Sequence, residues 1–450
     1  MKKKITLLAL GLLGTCLPLT SCSAGDEIIY MNFKPELTES TWNPIVAKFK
    51  EETGIKVNVV TAASGQYEST LRSRLGDRKK PTIFQINGGV GYRNFADYCA
   101  NDLTDTDFYK KLTRKSEAVI VDNKVKAVPV AIEGYGIIYN KEITKTYKGL
   151  TGASDEGKAL VDSNGKILAK SYEQLKTLVE DMQSRKTDLG IDGVFSSTGL
   201  DDSTSWRITG HLFNLPLYGE VGNSSETPDK LKFTYAPNYK NVLDLYLKNS
   251  PDYKDGEIKE AIDKTMETAS SQFATKKTVM IQNGNWATAD LTKSSVKKEN
   301  LDFLPIYSGK LGESFEESKQ GLCIGTESYL TVNEQSTAKE KENGIKFLNW
   351  LFTGKGQSYV SDSLGFISPF EGQKTPTDVL SAKVFEGFND SSLNPIPWKF
   401  TIVPSTDNQR ADLVTSLKKY YNSKMSNESW MDLVINAQKK WEELAKQAKS

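Results

Sequence analysis

The stretch IIYMNFKPELTESTWNPIVAKFKEETGIKVNVV, residues 28–60, decides the fold class. Ile28-Ile29-Tyr30-Met31 is a short apolar run suited to a buried strand, and Asn32-Phe33-Lys34-Pro35-Glu36 breaks it. Over 41–53, Trp42, Ile45, Val46 and Phe49 recur at helical spacing, and Thr53-Gly54 stops that helix with glycine in the position that turns left-handed. Ile55-Lys56-Val57-Asn58-Val59-Val60 reads as a second strand. Strands joined by a covering helix build an α/β fold with a mostly parallel sheet.

The pattern continues outward. A helix is expected over 66–77 and a third strand over Pro81-Thr82-Ile83-Phe84-Gln85-Ile86. Lys124 to Val130 follows an Asp-Asn turn, and Ala131 to Tyr139 stays extended, with Gly134 and Gly136 marking a bend or a close backbone approach. Helices are expected over 171–186, 238–249, 256–276, 338–353, 407–422 and 428–448, with polar loops over 149–166 and 220–230. Met280-Ile281-Gln282 ends a strand that runs through Asn283-Gly284-Asn285-Trp286 into a helix, and Ser328 to Val332 is a further strand. Trp350, Trp430 and Trp441 fall on the apolar faces of their helices, which makes them core or docking residues.

With 450 residues the chain suits two or three domains, and 38% hydrophobic residues are enough to fill their cores. Mean hydropathy of -0.46 argues against many membrane spans. The formal charge is +1, from 58 basic and 57 acidic residues, with no basic stripe of the kind nucleic acid needs.

The first residues have their own logic. Lys2, Lys3 and Lys4 precede an apolar run from Ile5 to Leu17, too short for a bilayer of about 20 residues and suited to a secretory signal. Leu19-Thr20-Ser21-Cys22 follows and resembles the bacterial lipoprotein box. On this reading residues 1–21 are a signal peptide, Cys22 is lipidated, and 22–27 form a tether. Cys16 leaves with the signal, and Cys99 and Cys323 are expected to be free and buried.

Catalytic signatures are scarce. His211 is the one histidine, no Gly-x-Ser-x-Gly elbow occurs, and no Cys/His cluster offers a metal site. No phosphate or dinucleotide loop occurs either, and Gly88-Gly89-Val90-Gly91 reads as a turn that exposes backbone N–H groups. No catalytic residue, cofactor or metal is therefore assigned. A pair of carboxylates among the 57 acids keeps a lipid-anchored glycoside hydrolase as an alternative.

Four segments, in order, resemble one family: Lys48-Phe49-Lys50-Glu51-Glu52-Thr53-Gly54-Ile55-Lys56-Val57; Pro81-Thr82-Ile83-Phe84-Gln85; Glu133-Gly134-Tyr135-Gly136-Ile137-Ile138-Tyr139-Asn140-Lys141; and Ala274-Thr275-Lys276-Lys277-Thr278-Val279-Met280 with Asn283-Gly284-Asn285-Trp286-Ala287. Over about 28–450 the chain is similar to the extracellular sugar-binding proteins of ABC importers, the group that includes maltodextrin-binding proteins. The resemblance implies a type II periplasmic-binding-protein fold: two α/β lobes with the ligand in the cleft between them. Lobe one would comprise 26–132 and 321–370, and lobe two 136–320 and 371–450. It also implies a monomer on the outer face of the cell membrane that captures an oligosaccharide and hands it to ABC permease and ATPase subunits.

Candidate ligand residues follow from that placement. Lys34 and Glu36 lie after the first strand, Gln66 in the loop after the second, and Gln85 and Asn87 at the end of the third. Gln85 stands where the maltodextrin binders have Trp, so this cleft would hydrogen-bond more and stack less there. Glu133 matches the family's acid at the start of the crossing strand, where a carboxylate accepts bonds from adjacent hydroxyls. Trp286 matches the Trp of the Asn-Gly-x-Trp turn, and Trp206 and Trp398 fall where the second lobe places aromatics. Such rings cover the apolar face of a pyranose. Other solutes on the same fold remain open: a polyamine would need several acids beside the aromatics, phosphate a small site without stacked Trp, and a peptide is a further alternative. A surface adhesin fits the two-lobe pattern poorly.

Overall fold

The computed structural model describes residues 27–448, apart from 36, 64, 65, 202, 203, 225, 259, 260, 327 and the side chain of Thr406. Glu39–Thr53 is helical, as its spacing predicts, and buries Trp42, Ile45 and Phe49. Trp42 meets Tyr30 edge-on at 5.0 Å, and Phe49 meets Phe347 at the same distance. Each such fully buried side chain contributes about 1.5–3 kcal/mol. Gly54 has φ 74° and donates its N–H to the Lys50 carbonyl, which satisfies an end-of-helix acceptor.

Two six-stranded sheets form among the described residues. The first has the order Lys56–Thr61, Glu27–Asn32, Ile83–Ile86, Tyr329–Val332, Lys124–Pro129, Val119–Val121. Its first three strands are parallel, and Tyr329–Val332 runs antiparallel to both of its neighbours. The second has the order Asn394–Pro397, Gln320–Gly325, Glu133–Asn140, Thr278–Gly284, Gly193–Phe195, with Leu301–Leu304 also paired to Glu133–Asn140. Both sheets are mixed, where the sequence pointed to a mostly parallel one. Strands that return from the other sheet enter against the direction of those wound locally, and sequence periodicity does not record that direction.

The strand Glu133–Asn140 is buried throughout. Its glycines mark close approach, as expected: a Cβ at Gly134 would meet Val384 at 2.7 Å, and one at Gly136 would run into the Leu304 carbonyl. Gln320–Gly325 pairs with Glu133–Asn140 and belongs to the second sheet, so the passage back to the first lies near 326, beyond the expected 321. Of the helix expected over 256–276, Met266–Ala274 alone is helical among the described residues, while Tyr253–Lys254 and Glu257–Ile258 form a hairpin. Asp255 and Gly256 have φ of 56° and 79°, the left-handed pair that a two-residue Asp-Gly hairpin needs.

Trp430 and Trp441 are buried in the second sheet's core, and Trp350 in the first. Cys99 and Cys323 are free and buried in separate cores, and burial pushes both thiols up to about 12. Cys22 and the expected signal peptide over 1–21 lie outside the described residues. Among the described residues no helix is long and apolar enough to cross a membrane.

Candidate functional site

One wall of the site grows from the first sheet. Beyond the strand Glu27–Asn32, the Lys34 ammonium reaches Glu133 Oε1 at 2.6 Å, with side-chain exposures of 9% and 7%. Gln85, at the end of its strand, accepts the Phe33 N–H at 2.8 Å and so fixes the chain that carries Lys34. Tyr67 supports the arrangement from below: its ring lies edge-on to Phe33 at 5.0 Å, and its hydroxyl donates to the Gln85 carbonyl at 3.0 Å. Three polar atoms on this wall are buried without a partner: Gln85 Nε2, Asn87 Oδ1 and Glu133 Oε2. Orphaned buried polar atoms are rare in native proteins, and a cluster of them marks a place for a polar ligand or water.

The second wall is aromatic. Trp206 and Trp286 are half-buried, with ring centroids 6.1 Å apart and planes 35° from parallel. Trp286 follows directly on the strand Thr278–Gly284, and a Cβ at Gly284 would overlap its indole, so the glycine is required for space. Asn285 ties this turn to the crossing strand by accepting the Gly134 N–H at 3.0 Å. The carboxylate of Glu133 and the indole of Trp286 thus belong to residues that flank one hydrogen bond. Arg207 lies with its guanidinium 4.1 Å from the Trp206 ring centroid and donates to Asn283 Oδ1 at 3.3 Å. Burial lowers Arg207 to about 9, opposed by the charges of Asp290 and Asp201.

The remaining sequence candidates are placed differently. Gln66 is exposed, and its amide oxygen accepts from Ser69, so the structure does not bring it to the Lys34–Glu133 pair. Trp398 is 6% exposed, and its indole N–H donates to the Cys323 carbonyl at 3.1 Å. It serves mainly as packing, with one side on a cavity of about 660 Å³ that Arg114, Tyr329, Asp390 and Thr401 also line. Glu36 lies outside the described residues. The sequence reading passed over Arg207, Tyr135 and the site neighbourhood of His211; the adjacency of Arg207 to Trp206 was the one signal available. The helix Gly88–Phe95, which starts beside Asn87, approaches the turn Phe400–Ile402.

Among the described residues no His, Cys, Asp and Glu group is arranged to hold a metal ion. What the walls offer is a paired charge, unpartnered hydrogen-bonding atoms and two half-covered indoles: the means to hold a polar molecule with apolar faces.

A family model for bacterial extracellular solute-binding proteins matches residues 44–384. No curated protein matches the sequence. In fold the chain is similar to RafE from Streptococcus pneumoniae, at 18% identity over 93% of this chain and 98% of that one, TM-score 0.66. It is also similar to a chitin oligosaccharide binding protein (17% identity, 93% and 99% covered, TM-score 0.67) and to the binding protein MsmE of Bacillus subtilis subsp. subtilis in an open conformation (16% identity, 94% and 98% covered, TM-score 0.67). RafE is also known in complex with raffinose.

Proposed function

The chain belongs to the bacterial extracellular solute-binding proteins, and from that premise we propose that it is the lipid-anchored receptor of an ABC importer for an oligosaccharide. The observation that carries this is the pairing of walls: Lys34 and Gln85 from the first sheet on one side, Trp206 and Trp286 on the other, with Glu133 of the second sheet paired to Lys34 and tied to Trp286 through Gly134 and Asn285. A sugar ring needs both kinds of surface. Its hydroxyls bond to carboxylate, ammonium and amide, while the C–H groups of its face gain by leaving water against an indole. The internal pairing of Lys34 with Glu133 leaves no large excess charge for an ionic solute, which favours a neutral ligand over a polyamine or phosphate. Two proteins that share the fold support a saccharide: RafE, known in complex with raffinose, and the chitin oligosaccharide binding protein.

On this reading the protein performs no chemistry. It closes on its ligand as a monomer, held at the outer membrane face by a lipid on Cys22, and presents the closed form to a permease driven by an ATPase subunit. Calorimetric titration of the purified protein with an oligosaccharide panel, followed also by Trp fluorescence, tests it. One-to-one saturable binding to one sugar class, without shorter products, is expected. Binding of amino acids or polyamines instead would overturn the sugar assignment, and released products would favour a hydrolase. For the anchor, Cys22→Ala is expected to move the protein from the membrane to the soluble fraction, and unchanged fractionation would refute it.

A further inference from the structure

The chain's single histidine sits at the centre of the aromatic wall. His211 is 4% exposed and belongs to the π-helical turn Arg207–Leu212, a geometry that costs regular hydrogen bonding and recurs at functional sites. Its imidazole lies flat on Tyr135, with centroids 3.8 Å apart and planes within 3°. The Tyr135 hydroxyl donates to the His211 carbonyl at 3.0 Å, so ring and backbone are held together. Four more rings surround it: Trp206 edge-on at 4.5 Å, Phe400 at 5.5 Å, Trp286 at 5.7 Å and Trp398 at 6.1 Å. Of these rings Trp206 and Trp286 are half-buried, while Tyr135, Trp398 and Phe400 are buried.

The two half-buried indoles come from distant parts of the chain, and their 6.1 Å contact is set by what lies behind them. His211 touches both, and it is anchored to Tyr135, two residues from Glu133 on the same face of the crossing strand. Its Nδ1 is buried with no hydrogen-bond partner within the protein, so the ring is held by its stacking on Tyr135 and by its neighbouring rings. A flat ring between Tyr135 and the two indoles accounts for the position.

We infer that His211 is a positioning residue, whose ring locks the Trp206–Trp286 pair to the crossing strand at the angle the ligand's face requires. This rests on the reading of the cleft as a saccharide site, but its first readout needs no ligand. Two indoles 6.1 Å apart couple in near-ultraviolet circular dichroism, and Trp206→Phe and Trp286→Phe identify that signal. His211→Leu, with the ring gone, is expected to lose the coupled signal and to weaken saccharide binding by roughly three- to tenfold. His211→Phe, which keeps a ring on Tyr135, is expected to retain both. Far-ultraviolet circular dichroism and a cooperative unfolding transition check that each variant is folded. Should the Leu variant not fold, His211→Gln, polar and ring-free, is read the same way.

A folded ring-free variant with an unchanged coupled signal would overturn the inference, as would a folded Phe variant as impaired as Leu. Failure of the unaltered protein to bind any saccharide would refute the proposed function alone, since the coupled signal would still decide the role of His211.

Discussion

Lys34 and Glu133 illustrate what a buried charge demands of its neighbours. At 2.6 Å and under a tenth exposed, each offsets the other's desolvation. Lys34→Met leaves the carboxylate uncompensated and is expected to cost about 3 kcal/mol in urea unfolding. The double change Lys34→Met with Glu133→Gln is expected to recover most of that loss while still abolishing tight ligand binding, which separates stability from recognition. His211 obeys a related rule. Burial, and secondarily the Arg207 charge, hold its imidazole well below the usual 6.5. The unfolded chain takes up a proton below 6.5 that the native state refuses, so this contribution to stability is complete above that pH and fades as pH falls below it. The slope approaches about 1.4 kcal/mol per pH unit. As the chain has one histidine, His211→Phe is expected to flatten denaturant midpoints measured between pH 6.5 and 5. The positions of Lys34 and Gln85 could be read from the strands they follow or end, and that of Glu133 from the segment that resembles the family's. The roles of Arg207 and His211 could not be read, since they depend on rings that only the fold assembles.

Among the elements, the turn after Thr278–Gly284 joins sequence most directly to geometry. Asn283-Gly284-Asn285-Trp286 was recognisable as a motif, yet its physical reason lies in three dimensions: the indole occupies the space of a Gly284 side chain. Gly284→Ala is therefore expected to displace the ring, at about 1–3 kcal/mol for overpacking, and to shift Trp emission in the ligand-free protein. An unshifted spectrum with full stability would mean that the turn relaxes at no cost. The helix Glu39–Thr53 and the glycine-bearing crossing strand were likewise readable, one from its period and cap, the other from glycines that admit Val384 and Leu304. The hairpin over 253–258 was missed although Asp255-Gly256 announces it, because each of its strands has only two residues and offers no periodicity to detect.

At the scale of the whole molecule the chain passes between the two sheets out of strand order. The chain leaves the first sheet after Lys124–Pro129, returns between Gln320–Gly325 and Tyr329–Val332, and passes back after Phe370. On the proposed function, the receptor opens and closes about these passages, and the balance between its states is set by weak contacts that span them. Arg114, beside the first sheet, lies 3.7 Å from the ring centroid of Phe388, whose helix Val379–Asn389 packs on the second. Both border the 660 Å³ cavity. A cation over a ring at an exposed site contributes about 0.5–1 kcal/mol, and a contact that breaks on opening transfers that amount to the closed state. Arg114→Ala is accordingly expected to raise the Kd for the cognate ligand about two- to fivefold, with the change in the off-rate and the Trp206–Trp286 signal intact. Small-angle scattering of the ligand-saturated variant should then show a larger radius of gyration than the unaltered protein. Equal off-rates and equal radii would mean that the contact survives opening and that the closed state is held instead by the ligand and the Lys34–Glu133 bridge.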